Sequence, residues 1–281
     1  MEIVVGKYAG FCPGVKRAWG LVAKTVQDSP SPIFILGELI HNKQAIWELE
    51  SWGVKVVENS DEVKDKTGIL VIRAHGEPPQ TYQKLAKIKK IKVVNATCPN
   101  VTRVQKLASQ LENEGFKVFV CGEKDHPEAQ ATVGYTKKGE IIASLEEAKK
   151  VASTEKIGVL AQTTFSPLVF KKICQILKKK CQQFKSLGTI CNFTQLAQKE
   201  AREIAKKVDL VIVVGGRQSS NTKRLAEVAG EIVTTYHIET AAEIKKGWLA
   251  GVKRVGLLAG ASTPDWIIKE VKEKLSLGVA V

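Results

Sequence analysis

Three cysteines stand at matching places in this chain, each opening a helical pattern: Cys12-Pro13-Gly14-Val15-Lys16-Arg17, Cys98-Pro99-Asn100-Val101-Thr102-Arg103 and Cys191-Asn192-Phe193-Thr194-Gln195-Leu196. An amphipathic helix and an apolar strand follow each one, then a loop that begins at His41, His126 or Ser219, 28 or 29 residues after its cysteine. A second strand and loop come later, at His75, Thr163 and Ser262, with offsets of 63, 65 and 71 residues. Spacing this regular predicts a threefold internal repeat of about ninety residues. The recurring order of strand, loop and helix predicts parallel β-α-β units with ligands at the carboxyl ends of the strands. The expected fold is therefore α/β in three segments, 1–97, 98–190 and 191–263, with a helix over 264–281 returning to the first.

Three thiolates brought to one centre in a reducing cell need a metal partner. Six cysteines in 281 residues, with no Cys-x-x-Cys pair and no leader-like start, suit reduced thiols or a metal site better than a disulfide scaffold. The missing pair also speaks against a zinc ribbon or a thioredoxin-like site. Met1-Glu2-Ile3-Val4-Val5-Gly6 reads as a first strand, and no apolar run reaches the ~18 residues of a spanning helix. The expectation is a cytoplasmic protein with no membrane partner. Gly-x-x-x-x-Gly-Lys and Gly-x-Gly-x-x-Gly are absent, so no nucleotide site is signalled. A net charge of +14 favours an anionic partner, and sign alone leaves nucleic acid, a phosphorylated metabolite and an acidic electron-transfer protein open. The lysines of Lys87 to Lys92 and Lys178 to Lys180 read as solvated outer faces of helices.

An iron-sulfur cluster normally takes four thiolates, so three leave an open position suited to substrate chemistry. His41, His75, Ser219, Ser220, Asn221 and Ser262 offer imidazole N–H groups, hydroxyls, an amide and a helix start, all donors suited to phosphate oxygens. Glu128, in His126-Pro127-Glu128, is the candidate proton donor, because a carboxyl withdrawn from water keeps its proton more readily. Three of the four histidines fall in loops after strands, while His237 falls within an expected strand. Cys174 and Cys181, seven apart on an expected helix from 167 to 180, read as packing residues. Plainer readings exist for each group singly, cysteine as a small apolar residue and Ser219-Ser220-Asn221 as a helix cap. They leave the shared spacing unexplained.

Gly10-Phe11-Cys12-Pro13-Gly14-Val15, His41-Asn42, Arg73-Ala74-His75-Gly76, Ala96-Thr97-Cys98-Pro99, His126-Pro127-Glu128, Gln162-Thr163-Thr164, Ser219-Ser220-Asn221 and Gly260-Ala261-Ser262 together resemble the 4-hydroxy-3-methylbut-2-enyl diphosphate reductase family. The resemblance runs through essentially the whole chain. It implies a trefoil of three α/β domains around one 4Fe-4S cluster held by Cys12, Cys98 and Cys191. It also implies removal of an allylic hydroxyl with two electrons and two protons, giving isopentenyl and dimethylallyl diphosphates and water, the last step of the non-mevalonate isoprenoid pathway. The diphosphate would lie against His41, His75, Ser219, Ser220, Asn221 and Ser262, with His126 lining the pocket. Proton delivery would fall to Glu128 assisted by Thr163, and electrons would come from a ferredoxin- or flavodoxin-type donor.

Two places depart from the family pattern: Ala197-Gln198 stands where Arg-Gln is usual, and Asn95 where Asp is common. Both bear on hydrogen bonding around the cluster. Two other classes remain to be weighed. A nucleic-acid binder with a structural zinc would interleave exposed aromatics with its basic patch, but aromatics here are sparse and lie mostly in apolar segments, so no nucleic-acid partner is expected. A non-catalytic binder of phosphorylated metabolites would hold the diphosphate without turning it over.

Overall fold

The computed structural model describes residues 1–277. An opening strand, β1 (Glu2–Val5), precedes three passes through one order of elements. The first pass runs α1 (Pro13–Asp28), β2 (Ile33–Leu36), α2 (Lys43–Ser51), β3 (Lys55–Val57), β4 (Gly68–Ile72), α3 (Pro79–Leu85) and β5 (Ile91–Asn95). In the second come α4 (Pro99–Asn113), β6 (Lys117–Cys121), α5 (Pro127–Val133), β7 (Glu140–Ile142), α6 (Leu145–Lys150), β8 (Thr154–Ala161), α7 (Pro167–Lys178) and β9 (Cys181–Ser186). The third holds α8 (Asn192–Ala205), β10 (Leu210–Val214), α9 (Ser220–Gly230), β11 (Thr235–Ile238), β12 (Arg254–Ala259) and α10 (Asp265–Ser276). Every pass starts on the residue after a cysteine. Pro13 and Pro99 take the first helical position, where a missing amide costs no hydrogen bond.

The strands form three four-stranded parallel sheets with one strand order: β3-β2-β4-β5, β7-β6-β8-β9 and β11-β10-β12-β1. The first strand of the chain thus completes the third sheet and does not open the first segment. It pairs with β12 from Glu2↔Arg254 to Val5↔Leu257. The third pass ends in α10 with no further strand of its own among the described residues. β1 covers the edge of β12, and Ile3 packs into the apolar cluster of Val255, Leu257 and Val271. The helix expected over 264–281 is α10; its expected residues from 278 on lie outside the described residues.

The chain divides into two compact units. One comprises Met1–Lys16, Ile40–Glu48 and the chain from Asn192 on, and carries the third sheet. Arg17–Leu39 and Leu49–Cys191 make up the other, which carries the first two sheets. The central strands β2, β4 and β10 are apolar and buried along their whole length, as expected where helices cover both faces of a parallel sheet. In the third sheet the side chains alternate. Leu210, Ile212 and Val214 pack with Ile267, Ile268 and Val271 of α10, whereas Val211 and Val213 pack with Ala201 of α8 and Leu225 and Val228 of α9. Each such side chain contributes about 1.5–3 kcal/mol on full burial, so a charge at Ile212 would break the frame that aims the loops.

In each sheet the two central strands leave in opposite directions at their carboxyl ends. Such a switch point opens a crevice for ligands. All six candidate loops follow these strands: β2 leads to His41, β4 to His75, β6 to His126 and Glu128, β8 to Thr163, β10 to Ser219-Ser220-Asn221, and β12 to Ser262.

Two local expectations fail. Cys181 does not share a helix with Cys174, since α7 ends at Lys178 and Cys181 opens β9 against Thr154. Lys180 turns the chain there by donating its Nζ to the carbonyls of Lys149 and Val151. Both thiols nevertheless pack in one apolar cluster. The lysines of 87–92 lie on the turn after α3 and along β5, where strand pairing, not a helix face, sets their direction. No helix among the described residues is long and apolar enough to cross a membrane.

Candidate functional site

Each cysteine is fastened through its own backbone to a strand-end loop. The Cys12 N–H donates to the Ala261 carbonyl (3.1 Å), the Cys98 N–H to Ala74 (2.9 Å) and the Cys191 N–H to Thr163 (2.9 Å). The threefold repeat therefore holds down to single hydrogen bonds. Cys12 lies beside the Ser262 loop, Cys98 beside the His75 loop and Cys191 beside the Thr163 loop. The sulfurs meet N–H donors. Val15 N–H lies 3.4 Å from the Cys12 Sγ, Asn100 Nδ2 donates to the Cys191 Sγ at 3.2 Å, and the amides of Asn100 and Val101 reach Cys98.

In the unit with the third sheet, the candidate residues form a seat of neutral donors. Ser219 caps α9, its Oγ accepting the Thr222 N–H at 3.3 Å. Ser262 Oγ donates to the His41 carbonyl at 3.3 Å and lies 3.4 Å from the Ser219 Oγ. A Cβ at Gly216 would overlap the His41 carbonyl oxygen, so only glycine lets these loops approach. Asn221 is buried at 4% exposure, and neither its Oδ1 nor its Nδ2 has a protein partner. A buried amide left so costs about 1–3 kcal/mol. Its position in the first turn of α9, where free amides and the helix dipole favour negative charge, fits an anion whose oxygens would satisfy it. Asn42 adds a second such donor, its Oδ1 accepting the Ala45 N–H at 3.0 Å and its buried Nδ2 unused.

The other unit holds ionisable groups already engaged. Glu128, at 3% exposure, accepts the Thr163 N–H on Oε1 at 2.6 Å and the Thr163 hydroxyl on Oε2 at 2.8 Å. Burial pushes its carboxyl up to about 7, against the pull of the two Thr163 hydrogen bonds. His126 caps α5, its Nδ1 accepting the Glu128 N–H at 3.1 Å. The neutral ring therefore keeps its proton on Nε2. The His75 ring meets that of His126 edge to face at 5.2 Å. Gly76 turns the chain after His75 at φ +73°, and a Cβ there would come within 2.5 Å of Gln105 Nε2.

Cys98 is held in its thiol form first by burial, then by the charges of Glu128 and Cys191, while the helix amides favour the thiolate. A buried thiol whose ionisation is opposed by two neighbouring acidic groups, beside N–H donors to sulfur, fits a cationic metal centre, which would relieve the repulsion. Cys12, Cys98 and Cys191 each precede the first residue of a helix, and thiolate sulfur is the donor that iron-sulfur clusters take.

Three supporting residues escaped the sequence reading. Asn100 reaches the Cys191 sulfur. Gln162 Oε1 accepts the Glu123 N–H at 3.0 Å and ties two loops together. Thr189 Oγ1 bonds both the N–H and the carbonyl of Ala161, anchoring the approach to Cys191. Asn100 and Gln162 stand within the quoted motifs, which is the signal that could have found them. The remaining cysteines are packing residues: burial pushes Cys174 up to about 11 and Cys121 well above the usual thiol range. His237 lies in β11 with Nε2 2.8 Å from the Gly215 carbonyl, a structural contact. Ala197 packs among apolar side chains against Ala201 and Leu258. Asn95 accepts the Thr97 N–H at 2.9 Å and donates to the Tyr82 hydroxyl at 3.4 Å.

Fold and site together define an α/β protein of three repeated parallel sheets that carries thiols, imidazoles and the buried carboxyl of Glu128 on its strand-end loops. Residues 3–276 match the LytB protein family, and the chain belongs to that family. Among curated relatives, the 4-hydroxy-3-methylbut-2-enyl diphosphate reductase of Aquifex aeolicus is 40% identical over 280 residues, 98% of this chain and 96% of the relative. That of Geotalea daltonii is 42% identical over 277 residues, 98% and 97% of the two chains. A solved (E)-4-hydroxy-3-methyl-but-2-enyl diphosphate reductase, described as the terminal enzyme of the non-mevalonate pathway, is 40% identical with a TM-score of 0.73, covering 99% of this chain and 100% of its own. The E-1-hydroxy-2-methyl-but-2-enyl-4-diphosphate reductase of Plasmodium falciparum is 29% identical with a TM-score of 0.91, over 98% of this chain and 87% of its own.

Proposed function

We propose that this protein is an oxidoreductase of the cytoplasm that removes the allylic hydroxyl of 4-hydroxy-3-methylbut-2-enyl diphosphate. Two electrons and two protons are consumed, and isopentenyl diphosphate, dimethylallyl diphosphate and water are formed. Glu128 is the observation that carries this reading. A carboxyl at 3% exposure, gripped by Thr163 through both oxygens and titrating near neutrality, is suited to giving up a proton at working pH.

Cys12, Cys98 and Cys191, one from each of the segments 1–97, 98–190 and 191–263, would hold one 4Fe-4S cluster. When bound, that cluster supplies electrons and an open Lewis-acidic iron for the hydroxyl oxygen. Ser219, Ser220, Asn221 and Ser262, with His41 and His75, bind the diphosphate, and His126 lines the pocket. Burial keeps the proton on Glu128, while Thr163 orients the carboxyl and, by donating to both of its oxygens, favours the carboxylate left after delivery. Transfer to one terminus or the other of the allylic system accounts for two products. Electrons come from a ferredoxin- or flavodoxin-type protein.

Anaerobic purification tests the reading. The brown protein should contain about four iron and four sulfide per chain, and Cys98→Ser should lose cluster and turnover together. A Cys98→Ser protein with a full iron complement and normal turnover would overturn the ligand assignment, and a colourless protein with stoichiometric zinc would favour a different class.

A further inference from the structure

The proposed reaction takes two electrons from outside the chain, and no P-loop or dinucleotide pattern offers to hold a nucleotide reductant. In the unit that carries Cys98, a groove of about 700 Å³ is walled by Thr97 and Pro99, the two residues flanking that cysteine. Arg17, Arg103 and Lys106 also line it, all exposed, and no carboxylate does. Arg103 and Lys106 lie three apart on α4, the helix that Cys98 caps, so they share a face. Arg17 Nη1 donates to the Thr97 carbonyl at 3.2 Å, tying a fixed cation to the backbone just before the cysteine. Asn95 adds a neutral amide whose carbonyl is taken by the Thr97 N–H. Two other basic grooves differ on both counts. Their lysines are mixed with Asp28, or with Asp61 and Asp65, and neither includes a residue next to Cys98.

We infer that the Arg17–Arg103–Lys106 groove is the docking surface for a small acidic electron-transfer protein. The inference rests on the reductase reading. Carboxylates on the partner enter the cationic groove, steered by charge over about a Debye length. A reduced one-electron carrier docks, gives one electron beside Cys98 and leaves oxidised. Two such encounters, with two protons, replace the C–O bond of the substrate by C–H and release water.

The test uses the cluster-loaded protein with a reduced acidic bacterial ferredoxin, and with reduced methyl viologen as the small chemical reductant. Arg103→Glu with Lys106→Glu should weaken ferredoxin binding, read by calorimetry, by about tenfold or more at low salt and raise the KM for ferredoxin alike, since charge reversal at a docking rim acts through encounter. Binding should also lose much of its salt dependence, while turnover on methyl viologen stays unchanged and shows the variant folded. Asn95→Asp, which keeps the acceptor for Thr97 and adds one negative charge, should shift binding the same way by a smaller factor. Lys89→Glu with Lys90→Glu should leave it unchanged. Unaltered ferredoxin binding in the Arg103/Lys106 variant, or loss in the Lys89/Lys90 variant instead, overturns the groove alone. A parent protein that fails to turn over on methyl viologen overturns the reductase reading and this inference with it.

Discussion

The two units divide the candidate chemistry between them in different currencies of hydrogen bonding. Around Ser219, Asn221 and Ser262 the groups are neutral donors, and Asn221 holds both of its polar atoms in reserve although buried. Around Thr163, the groups that titrate, Glu128 and Cys98, are already engaged, with Glu128 held by two hydrogen bonds from that one residue. Spare donors in a dry place suit an incoming anion, because they gain a partner on binding that folding did not provide. Engaged acids suit proton transfer, because their pKa is set before the ligand arrives. On the proposed function the first region binds and the second reacts, and mutants should separate the two.

Glu128→Gln should show the largest effect, a fall in kcat of roughly two orders of magnitude or more, with diphosphate affinity nearly unchanged. Equal losses in kcat and affinity would erase the distinction between the regions. Asn221→Ala should do the reverse, weakening diphosphate binding by about 10–100-fold, as expected for hydrogen bonds to a charged group, with the pH profile unmoved. Titration calorimetry alongside the pH–rate profile checks both halves.

A smaller and more specific effect is expected from Thr163→Val. The proton donor must be protonated, so the parent's rate should fall as pH rises through about 7, where Glu128 ionises. The Thr163 hydroxyl favours the carboxylate, so its removal should move that falling limb to higher pH. A limb that stays put or moves down would contradict the assignment of Thr163 as the group that tunes Glu128. Cys174→Ser marks the floor of the series, leaving iron content and turnover as they are, because its thiol packs within the apolar cluster behind β8.

How legible this was in the sequence varied with the kind of signal. The repeat and its six loops showed because each central strand is an apolar run that stops abruptly at a polar loop, a pattern written in side chains. The place of β1 did not show: it is four residues long, and its pairing with β12 brings together opposite ends of the chain, a choice made by tertiary packing. Cys181 was misplaced because Lys178, Lys179 and Lys180 continue a helical composition past the point where β9 must begin. The hold of Thr163 on Glu128 and the clamps from Cys12, Cys98 and Cys191 run through backbone N–H groups, which every residue but proline possesses and which leave no mark on composition. Cys12, Cys98, Cys191 and Glu128 stand out as candidates from motif and spacing, whereas the supporting contacts of Asn100 and Thr189 span many residues of chain.

The most direct measurement is anaerobic turnover of 4-hydroxy-3-methylbut-2-enyl diphosphate by the iron-loaded protein with a chemical reductant, with both products quantified. The account predicts isopentenyl and dimethylallyl diphosphates together, at a rate that falls above neutral pH and collapses in Glu128→Gln. An iron-loaded protein that binds the diphosphate tightly yet forms neither product would contradict it and leave a binding protein in its place.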